Sequence, residues 1–400
     1  MPPIDFWLGL VVGVTGLSLA ILSTSLWQLS RGWQVLNQQE IRLLNPERWL
    51  AKGFQSQAEL EAQAQALFSE PLVSILVCFH AEDPAQQDIL PALQAQTYPR
   101  LEFVLVADRA TPQLLQVLRQ FVAKEPRARL VELTECPPGW TPRKHALRTG
   151  MNAASGEILL LTDADCTPPP RWAELFSRPL RLKDAPADVV LGYSPTAPVE
   201  GMLGRFQAYE TAYTAYRYLG SVAQGQRRMA VGRNMGCTRN LWQRSDQFAS
   251  HAAVPGGSDD LWLFSLPTHT RIVPLAHPDT RVPTRSQPTF RRWWHQKRRH
   301  VSASVRYPAA VKRYFAIGAA AHVLLYAGLL GMACGPLPAL AAVMLLGYWV
   351  LKAAGMARAG LLAGWPFHFQ FPFLDFLYVL YLCIAVPAGF RFRGPWLSNT

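Results

Sequence analysis

Charged residues are scarce in this sequence. Asp, Glu, Lys and Arg make up 16% of the 400 residues, whereas about 25% is usual for a soluble domain. Hydrophobic residues account for 50% of the chain. A chain of this length can hold one catalytic domain and further segments. The deficit of charge predicts that some of those segments contact lipid.

Several motifs are also missing. No Cys-x-x-Cys pair occurs among the six cysteines, which argues against a paired-cysteine zinc or redox site and favours reduced, buried thiols. No G-x-G-x-x-G follows the first predicted strand, which argues against a dinucleotide-binding fold. No G-x-x-x-x-G-K-[ST] occurs either, which excludes a P-loop.

Long apolar stretches are present at 4–27, 314–330, 337–351 and 371–390. The first is long enough to span a hydrocarbon core of about 30 Å, and it lacks the basic start of a signal peptide, the alternative interpretation. The third is short, which leaves a re-entrant hairpin open. Asp375 lies within the fourth, and we expect its carboxylate to face protein or water.

The formal net charge is +12, and Arg and Lys are dense at 291–313, where tryptophans interleave them. Such a segment can bind single-stranded nucleic acid. Its position directly before an apolar stretch instead favours an interfacial helix that contacts membrane lipids, and no nucleic acid partner is predicted. The excess of basic residues places the central region on the cytoplasmic face of a bacterial-type inner membrane. Arg391 and Arg393 do not fit a fourth full crossing, so the number of crossings stays open.

The central region has the pattern of an α/β domain. Apolar runs rich in branched residues alternate with amphipathic segments, which predicts a mostly parallel, Rossmann-like sheet. The predicted strands are 72–79, 101–107, 128–133 and 158–162, and the predicted helices are 85–96, 112–124, 144–154 and, later in the chain, 204–219.

Acidic residues follow three of these strands: Glu82 the first, Asp108 the second, and Asp163 with Asp165 the fourth. In parallel sheets, ligands bind beyond the carboxyl ends of the strands. Two carboxylates two residues apart can bind a ribose and a divalent cation that bridges a diphosphate. A solvated acidic loop that caps a helix is the alternative interpretation.

Six segments in order resemble the membrane-bound family 2 glycosyltransferases, of the cellulose synthase, hyaluronan synthase and ceramide glucosyltransferase kind. The segments are VSILVCFHAED at 73–83, VLVAD ending at Asp108, LLLTDADC at 159–166, VGRNMGCTRNLW at 231–242, GGSDDLWLF at 256–264 and WWHQKRRH at 293–300. The resemblance covers about residues 70–310 and implies a GT-A catalytic domain joined to transmembrane helices.

The resemblance also implies a role for each matching residue. Glu82, Asp108, Lys144 and Asp163 are expected to contact the nucleotide-sugar donor. Asp165 is expected to bind Mg²⁺ or Mn²⁺. Asp260 is expected to be the general base, with support from Asp259. Gln296, Arg299 and His300 are expected to bind the acceptor or the diphosphate.

Three positions depart from the pattern of the family. Ala81 replaces a common Asn, Asp259 replaces Glu, and His300 replaces the Trp that ends the Q-x-x-R-W motif. The last change removes an aromatic surface for the acceptor. It therefore argues against assigning this chain the acceptor geometry of the cellulose or hyaluronan synthases.

The predicted organisation is an N-terminal transmembrane helix at 1–30, a cytoplasmic linker with juxtamembrane helices at 31–69, the GT-A domain at 70–290, the basic interfacial segment at 291–313, two or three membrane helices at 314–390 and a tail at 391–400. The predicted function is inverting transfer of a sugar from a nucleoside diphosphate sugar to a lipid-linked or saccharide acceptor. Alternatives are a processive polysaccharide synthase, a catalytically degenerate scaffold for polysaccharide export, and a membrane-anchored nucleotidyltransferase.

Overall fold

A computed structural model describes residues 4–47, 56–80, 88–197, 201–362 and 370–390. These residues divide into two compact units. The sheet unit comprises the described parts of Gln34–Ala197 and Ser221–Arg285. The membrane-helix unit comprises the described parts of Met1–Trp33, Pro198–Gly220 and Ser286–Arg393.

A single mixed sheet forms the centre of the sheet unit. Its strands within the described ranges are β1 (Val73–His80), β2 (Leu101–Asp108), β3 (Ala128–Leu133), β4 (Ile158–Asp163), β5 (Val189–Gly192), β6 (Met235–Thr238) and β7 (Ile272–Leu275). Their order across the sheet is β3-β2-β1-β4-β6-β5-β7. β6 is antiparallel to β4 and β5, and the other pairs are parallel. The predicted α/β fold with a mostly parallel sheet is therefore confirmed, and β1 to β4 are the four predicted strands.

Helices and short helical turns connect these strands. α1 (Ile4–Leu44) begins in the membrane-helix unit and ends in the sheet unit, where Glu40 accepts hydrogen bonds from the backbone N–H groups of Ala276 and His277. The other helices of the sheet unit are α2 (Gln57–Ala66), α3 (Ile89–Gln94), α4 (Pro112–Lys124), α5 (Pro142–Ala153), α6 (Trp172–Phe176), α7 (Arg178–Arg181), then α9 (Arg239–Arg244) and α10 (Asp260–Ser265), with α8 described below.

The start of α5 is held at the carboxyl edge of the sheet. Thr141 precedes Pro142, and proline at the first helical position favours the start of a helix there. Gly150 lets the helix approach the strands closely, because a Cβ at this position would lie 2.6 Å from Cγ2 of Val106 in β2. This close packing determines where the first turn of α5 presents its side chains.

The membrane-helix unit contains α8 (Gly201–Val222), α11 (Phe290–Ala303), α12 (Ala309–Ala333), α13 (Pro338–Arg358) and α14 (Phe371–Phe390), together with the first part of α1. In the described residues, α1, α12, α13 and α14 are long and apolar enough to cross a membrane. α13 continues past the predicted end at 351, and its 21 residues are enough for a span. Small residues permit close helix packing, since a Cβ at Gly328 of α12 would lie 1.9 Å from Oγ1 of Thr15 in α1.

α8 belongs to the membrane-helix unit as far as Gly220, although the predicted boundaries of the GT-A domain, 70–290, include the helix. The reason is a polar and aromatic face on this helix. Tyr209 donates a hydrogen bond to Asp375, and Trp33 donates its indole N–H to the carbonyl of Tyr216 at 2.9 Å. Asp375 is 0% exposed and is paired with Lys352, which confirms that its carboxylate faces protein.

Candidate active site

Two aspartates are the last residues of their strands and lie at the carboxyl edge of the sheet. Asp108 is the last residue of β2, and it pairs with His80 of β1. Asp163 is the last residue of β4, and it pairs with Cys78 of the same strand β1. Because β1 lies between β2 and β4, the two aspartates lie on either side of one strand. Both side chains have the same parity along the paired strands and therefore point to one face of the sheet.

The buried carboxylate of Asp108 contacts the side chains of Arg109 and His80. Its Oδ1 accepts a hydrogen bond from Nε of Arg109 at 2.9 Å, and its Oδ2 accepts one from Nη2 of Arg109 at 2.8 Å. Nδ1 of His80 lies 3.3 Å from Oδ2. Burial raises the pKa of Asp108, but the hydrogen bonds from His80 and Arg109 outweigh burial and lower it below its usual value. The group therefore keeps its negative charge.

The pair Asp163 and Asp165 is accompanied by two arginines. Arg143, on the first turn of α5, donates a hydrogen bond from Nη2 to Asp163 Oδ1. Burial and the neighbouring Asp163 raise the pKa of Asp165, and the positive charge of Arg233 partly opposes that rise. Arg233 is held by a hydrogen bond from its Nε to Ser194 Oγ at 2.7 Å. Two carboxylates and two guanidinium groups are thus gathered at the end of β4.

The acidic pair Asp259 and Asp260 lies at the start of α10. Asp259 accepts hydrogen bonds from the N–H groups of Asp260 at 3.0 Å and of Gly232 at 2.9 Å. Asp260 accepts one from the N–H group of Ala230 at 2.7 Å, and its residue is 7% exposed. Asp259 therefore caps the start of α10 and also bonds to the 230–232 segment.

The acidic pair and the aspartates of β4 belong to one electrostatic cluster. The charge of Asp163 is the largest cause of the raised pKa of Arg143, and Asp259 contributes to it. Asp259 also binds the N–H group of Gly232, the neighbour of Arg233. We call Arg143, Asp163, Asp165, Arg233 and Asp259 the strand-end cluster. Asp108 is linked to it through Cys78, because Arg143, Asp163 and Asp108 all act on the pKa of that thiol, which burial raises to about 12.

The side chain of Lys144 contacts the loop before the acidic pair. Its residue is 1% exposed, and its ammonium group donates hydrogen bonds to the carbonyls of His251 at 2.9 Å, Val254 at 2.5 Å and Gly256 at 2.8 Å. These contacts are with backbone of the chain, in the loop that precedes the acidic pair. Its neighbour Arg143 donates a hydrogen bond to the carboxylate of Asp163 at the end of β4.

The remaining predicted site residues lie outside the described residues or in the membrane-helix unit. Glu82 and Ala81 lie outside the described residues. Gln296, Arg299 and His300 lie on α11 in the membrane-helix unit, where Gln296 and Arg299 are partly buried and His300 is exposed.

The sequence patterns do not predict that Arg143 and Arg233 lie beside these carboxylates. Each residue nevertheless has a local signal. Arg143 lies in the first turn of a helix that follows a strand, where a cation or a backbone N–H can face the carboxyl edge of the sheet. Arg233 lies within the motif that resembles the acceptor loop. The pattern did not show which cation of the pair Arg143 and Lys144 faces the carboxylates.

The carboxylates offer a partial metal site. Within the described parts of the chain, no group of three or more His, Cys, Asp or Glu side chains is placed to hold a metal ion. Mg²⁺ in proteins is often held by one or two carboxylates, with phosphate oxygens and water as the other ligands. The proximity of Asp163 and Asp165, which raises the pKa of Asp165 together with burial, is a repulsion that a cation would relieve. The two aspartates therefore fit a cation shared with a diphosphate.

The fold and the cluster define the class of domain. The mostly parallel sheet carries an Asp-x-Asp at the end of β4 and an acidic pair at the start of a later helix, and residues 74–239 match the sequence model described as Glycosyl transferase family 2. This stretch of the chain is thus similar to the family 2 glycosyltransferases, as the resemblance implied.

Two curated relatives are similar over part of their length. The chain is 25% identical over 238 residues to the probable glycosyltransferase YdaM of Bacillus subtilis, which covers 57% of this chain and 54% of YdaM. It is 30% identical over 106 residues to the glycosyltransferase AglE of Haloferax volcanii, which covers 26% of this chain and 34% of AglE. The chain spans about half or less of the length of these relatives.

Solved structures also align with the chain. The mannosyltransferase PcManGT from Pyrobaculum calidifontis, in complex with GDP-Man and Mn²⁺, aligns with a TM-score of 0.47 at 21% identity, over 87% of this chain and 100% of that chain. TarS from S. aureus aligns with a TM-score of 0.38 at 14% identity, over 80% of this chain and 54% of that chain.

Proposed function

We propose that this protein is a membrane-bound glycosyltransferase that moves a sugar from a nucleoside diphosphate sugar to a lipid-linked or saccharide acceptor, with inversion at the anomeric carbon. The observation that carries the proposal is the strand-end cluster, in which carboxylates and arginines from the end of β4, α5, the 232–234 turn and the start of α10 meet in the sheet unit. Such a cluster offers both anionic and cationic partners, which a metal-bound diphosphate requires.

The donor is proposed to bind along the carboxyl edge of the sheet. Asp108 contacts the base or ribose of the nucleotide, and Asp163 contacts the ribose or diphosphate. Arg143 and Arg233 supply positive charge to the diphosphate oxygens, since guanidinium groups bind phosphate with two parallel hydrogen bonds. Asp165, with Asp163 beside it, holds Mg²⁺ or Mn²⁺. When bound, that cation neutralises charge on the departing diphosphate.

Proton transfer is assigned to the acidic pair. Asp260 takes the proton from the acceptor hydroxyl as its oxygen attacks the anomeric carbon. Asp260 is oriented by the N–H group of Ala230, and Asp259 accepts hydrogen bonds from the N–H groups of Asp260 and Gly232, which ties the start of α10 to the 230–232 segment. One base opposite one leaving group leads to inversion of the anomeric carbon.

The acceptor side rests on the motif on α11. Gln296 and Arg299 are proposed to bind the diphosphate or the acceptor, with His300 beside them, and Glu82 is proposed to contact the donor. The excess of Arg and Lys around 31–48 and 291–313 supports a cytoplasmic catalytic domain at the cell inner membrane. Membrane lipids then surround the apolar helices.

The direct experiment is a panel of nucleoside diphosphate sugars. The full chain, purified in detergent, is incubated with each donor, a membrane lipid extract and Mg²⁺ or Mn²⁺, and products are identified by mass spectrometry. We expect one donor to give a product one sugar heavier than its acceptor. A ladder of products would support a processive synthase instead, and no turnover with any donor would support a degenerate scaffold.

Metal removal is tested on the same assay. We expect EDTA to abolish transfer and added Mg²⁺ or Mn²⁺ to restore it. Asp165→Asn should raise the cation concentration needed for half-maximal activity, whereas Asp184→Asn, which removes an exposed carboxylate, should not. Full activity in EDTA would contradict the metal role of Asp165.

A further inference from the structure

Lys144 is a buried cation that donates hydrogen bonds to the backbone of one loop, residues 251–256. Its ammonium group reaches three backbone carbonyls, those of His251, Val254 and Gly256, at 2.9, 2.5 and 2.8 Å. Three carbonyl oxygens that point at one place repel each other, and a buried ammonium needs oxygen partners to replace water. A lysine ammonium has three N–H donors on one centre and no acceptor, so it satisfies both requirements.

The loop that Lys144 holds leads directly to the acidic pair. Residues 251–256 are followed by Gly257, Ser258, Asp259 and Asp260. Gly256 and Gly257 have φ values of 81° and 64°, which lie in the left-handed region that favours glycine. Two consecutive glycines give this backbone many alternative conformations, so an external restraint is needed to hold one of them.

A second contact ties the same two segments together. The backbone N–H of Thr141, at the start of α5, donates to the carbonyl of Ala252 at 2.9 Å. Arg143, one residue before Lys144, donates to Asp163 at the end of β4. The first turn of α5 therefore contacts both the donor-side carboxylate and the loop before Asp259 and Asp260.

We propose that Lys144 is a positioning residue, which fixes the 251–256 loop so that Asp260 is in place to accept the proton of the acceptor hydroxyl. This inference rests on the proposed function of Asp260. In this proposal Lys144 acts on proton transfer, whereas the sequence analysis expects it to contact the donor directly. Misplacement of a catalytic group by about 1 Å lowers turnover by about a hundredfold, so the expected effect falls on kcat.

The kinetic test compares three variants with the native chain. Lys144→Met keeps the length of the side chain and removes its charge. Lys144→Arg keeps the charge but has a planar guanidinium that does not match three converging carbonyls. Lys124→Met, at the exposed end of α4, is the matched control. We expect Lys144→Met and Lys144→Arg to lower kcat by about a hundredfold with the KM for the donor within about threefold of the native value, and Lys124→Met to change neither.

A donor KM that rises in proportion to the loss of turnover would overturn the proposal, because that result indicates direct donor binding. Unchanged kcat in Lys144→Met would overturn it as well. Hydrogen exchange then locates the effect: exchange should rise at residues 249–258 in Lys144→Met, including the N–H of Val254, which bonds to the carbonyl of His251. Unaltered exchange in this segment would contradict the restraint.

Amine labelling uses the native chain, so its result does not depend on whether a variant folds or on enzymatic activity. With a water-soluble acylating reagent, Lys144 should remain unlabelled while exposed Lys124 and Lys183 react. Addition of UDP or GDP with Mg²⁺ should leave this result unchanged. Labelling of Lys144 that is suppressed by either nucleotide would overturn the proposal. If no donor in the panel is active, labelling and exchange still decide whether Lys144 restrains the loop, so the two failures are distinguishable.

Discussion

Asp108 and Arg109 are neighbours in sequence, and their side chains form a two-point ion pair at the end of β2. Arg109 adopts a φ of 49°, in the left-handed region, which costs a non-glycine residue on the order of 1 kcal/mol. The ion pair holds the Asp108 carboxylate in one orientation and, with His80, lowers its pKa despite burial. A charged, oriented acceptor is suited to the hydroxyl groups of a ribose or the N–H groups of a base.

Asp108→Asn tests this role. The amide loses the charge and half of the acceptor capacity of the carboxylate, and a hydrogen bond to a charged group contributes about 1.5–3 kcal/mol. We therefore expect the KM for the donor to rise about tenfold to a hundredfold, with a smaller change in kcat. Asp184→Asn is the matched control, since Asp184 is exposed. A native donor KM in Asp108→Asn would remove Asp108 from the donor site.

Asp260→Asn tests the general base. General base catalysis contributes about a hundredfold to ten-thousandfold, so transfer should fall by that factor while the donor still binds. Asparagine also accepts the hydrogen bond from Ala230, which keeps the local backbone in place. Donor binding is measured by calorimetry and transfer by mass spectrometry of the product. Transfer at the native rate would mean that another group takes the proton.

The pH dependence of stability should reflect His251. Burial, and then the positive charge of Lys144, lower the pKa of His251 to about 4, whereas histidine in an unfolded chain has a pKa of about 6.5. Between these values the unfolded chain binds more protons, so stability falls as pH decreases from 6.5 to 4, by about 3 kcal/mol at most.

Thermal unfolding in detergent, followed by tryptophan fluorescence from pH 7 to pH 4.5, measures this effect. His251→Gln is neutral throughout the range, so its Tm should fall less with acid than that of the native chain. His269→Gln removes an exposed imidazole instead and serves as the control. Parallel curves for the native chain and His251→Gln would show that His251 does not contribute.

The membrane-helix unit contains a buried ion pair that should determine its stability. Lys352 of α13 and Asp375 of α14 are both 0% exposed, and their charged groups are in contact. Tyr209 and Tyr326 also donate hydrogen bonds to the carboxylate, and the ammonium lies 3.5 Å from the ring centroid of Tyr213. Removal of one partner leaves an uncompensated charge, which costs about 3–5 kcal/mol.

Lys352→Met and Asp375→Leu should therefore each lower the Tm in detergent markedly. The double variant should recover most of the loss, because an apolar pair carries no unpaired charge. Lys312→Met, at an exposed position near the start of α12, is the control. If the losses of the two single variants simply add in the double variant, the ion pair is not the cause.

Much of the sheet could be predicted from local pattern. The runs at 72–79 and 158–162 are long, apolar and branched, and they become β1 and β4, whose residues are almost all buried. β5, β6 and β7 have four residues each and were not predicted. Strands so short carry little periodic signal, and the antiparallel pairing of β6 depends on residues distant in sequence.

Of the candidate site, the sequence predicts the carboxylates. Asp108, Asp163 and Asp165 follow apolar strands, and a parallel sheet places such ends at one edge, so sequence alone predicts their common location. The partners of these carboxylates depend on packing. Arg143 and Lys144 are adjacent cations with similar chemistry, and only their different directions from the first turn of α5 decide that one meets Asp163 and the other meets a loop.

The sequence by itself therefore determined the first four strands, the strand-end aspartates and the four apolar helices, because each of these depends on a short run of residues and its local composition. The tertiary structure alone decided that α8 packs with the membrane helices, that Arg143 and Arg233 join the carboxylates, and that Lys144 holds the loop before Asp259. The physical reason is that these contacts join segments tens to hundreds of residues apart, and their geometry follows from how buried polar groups find partners once the helices and sheet have packed.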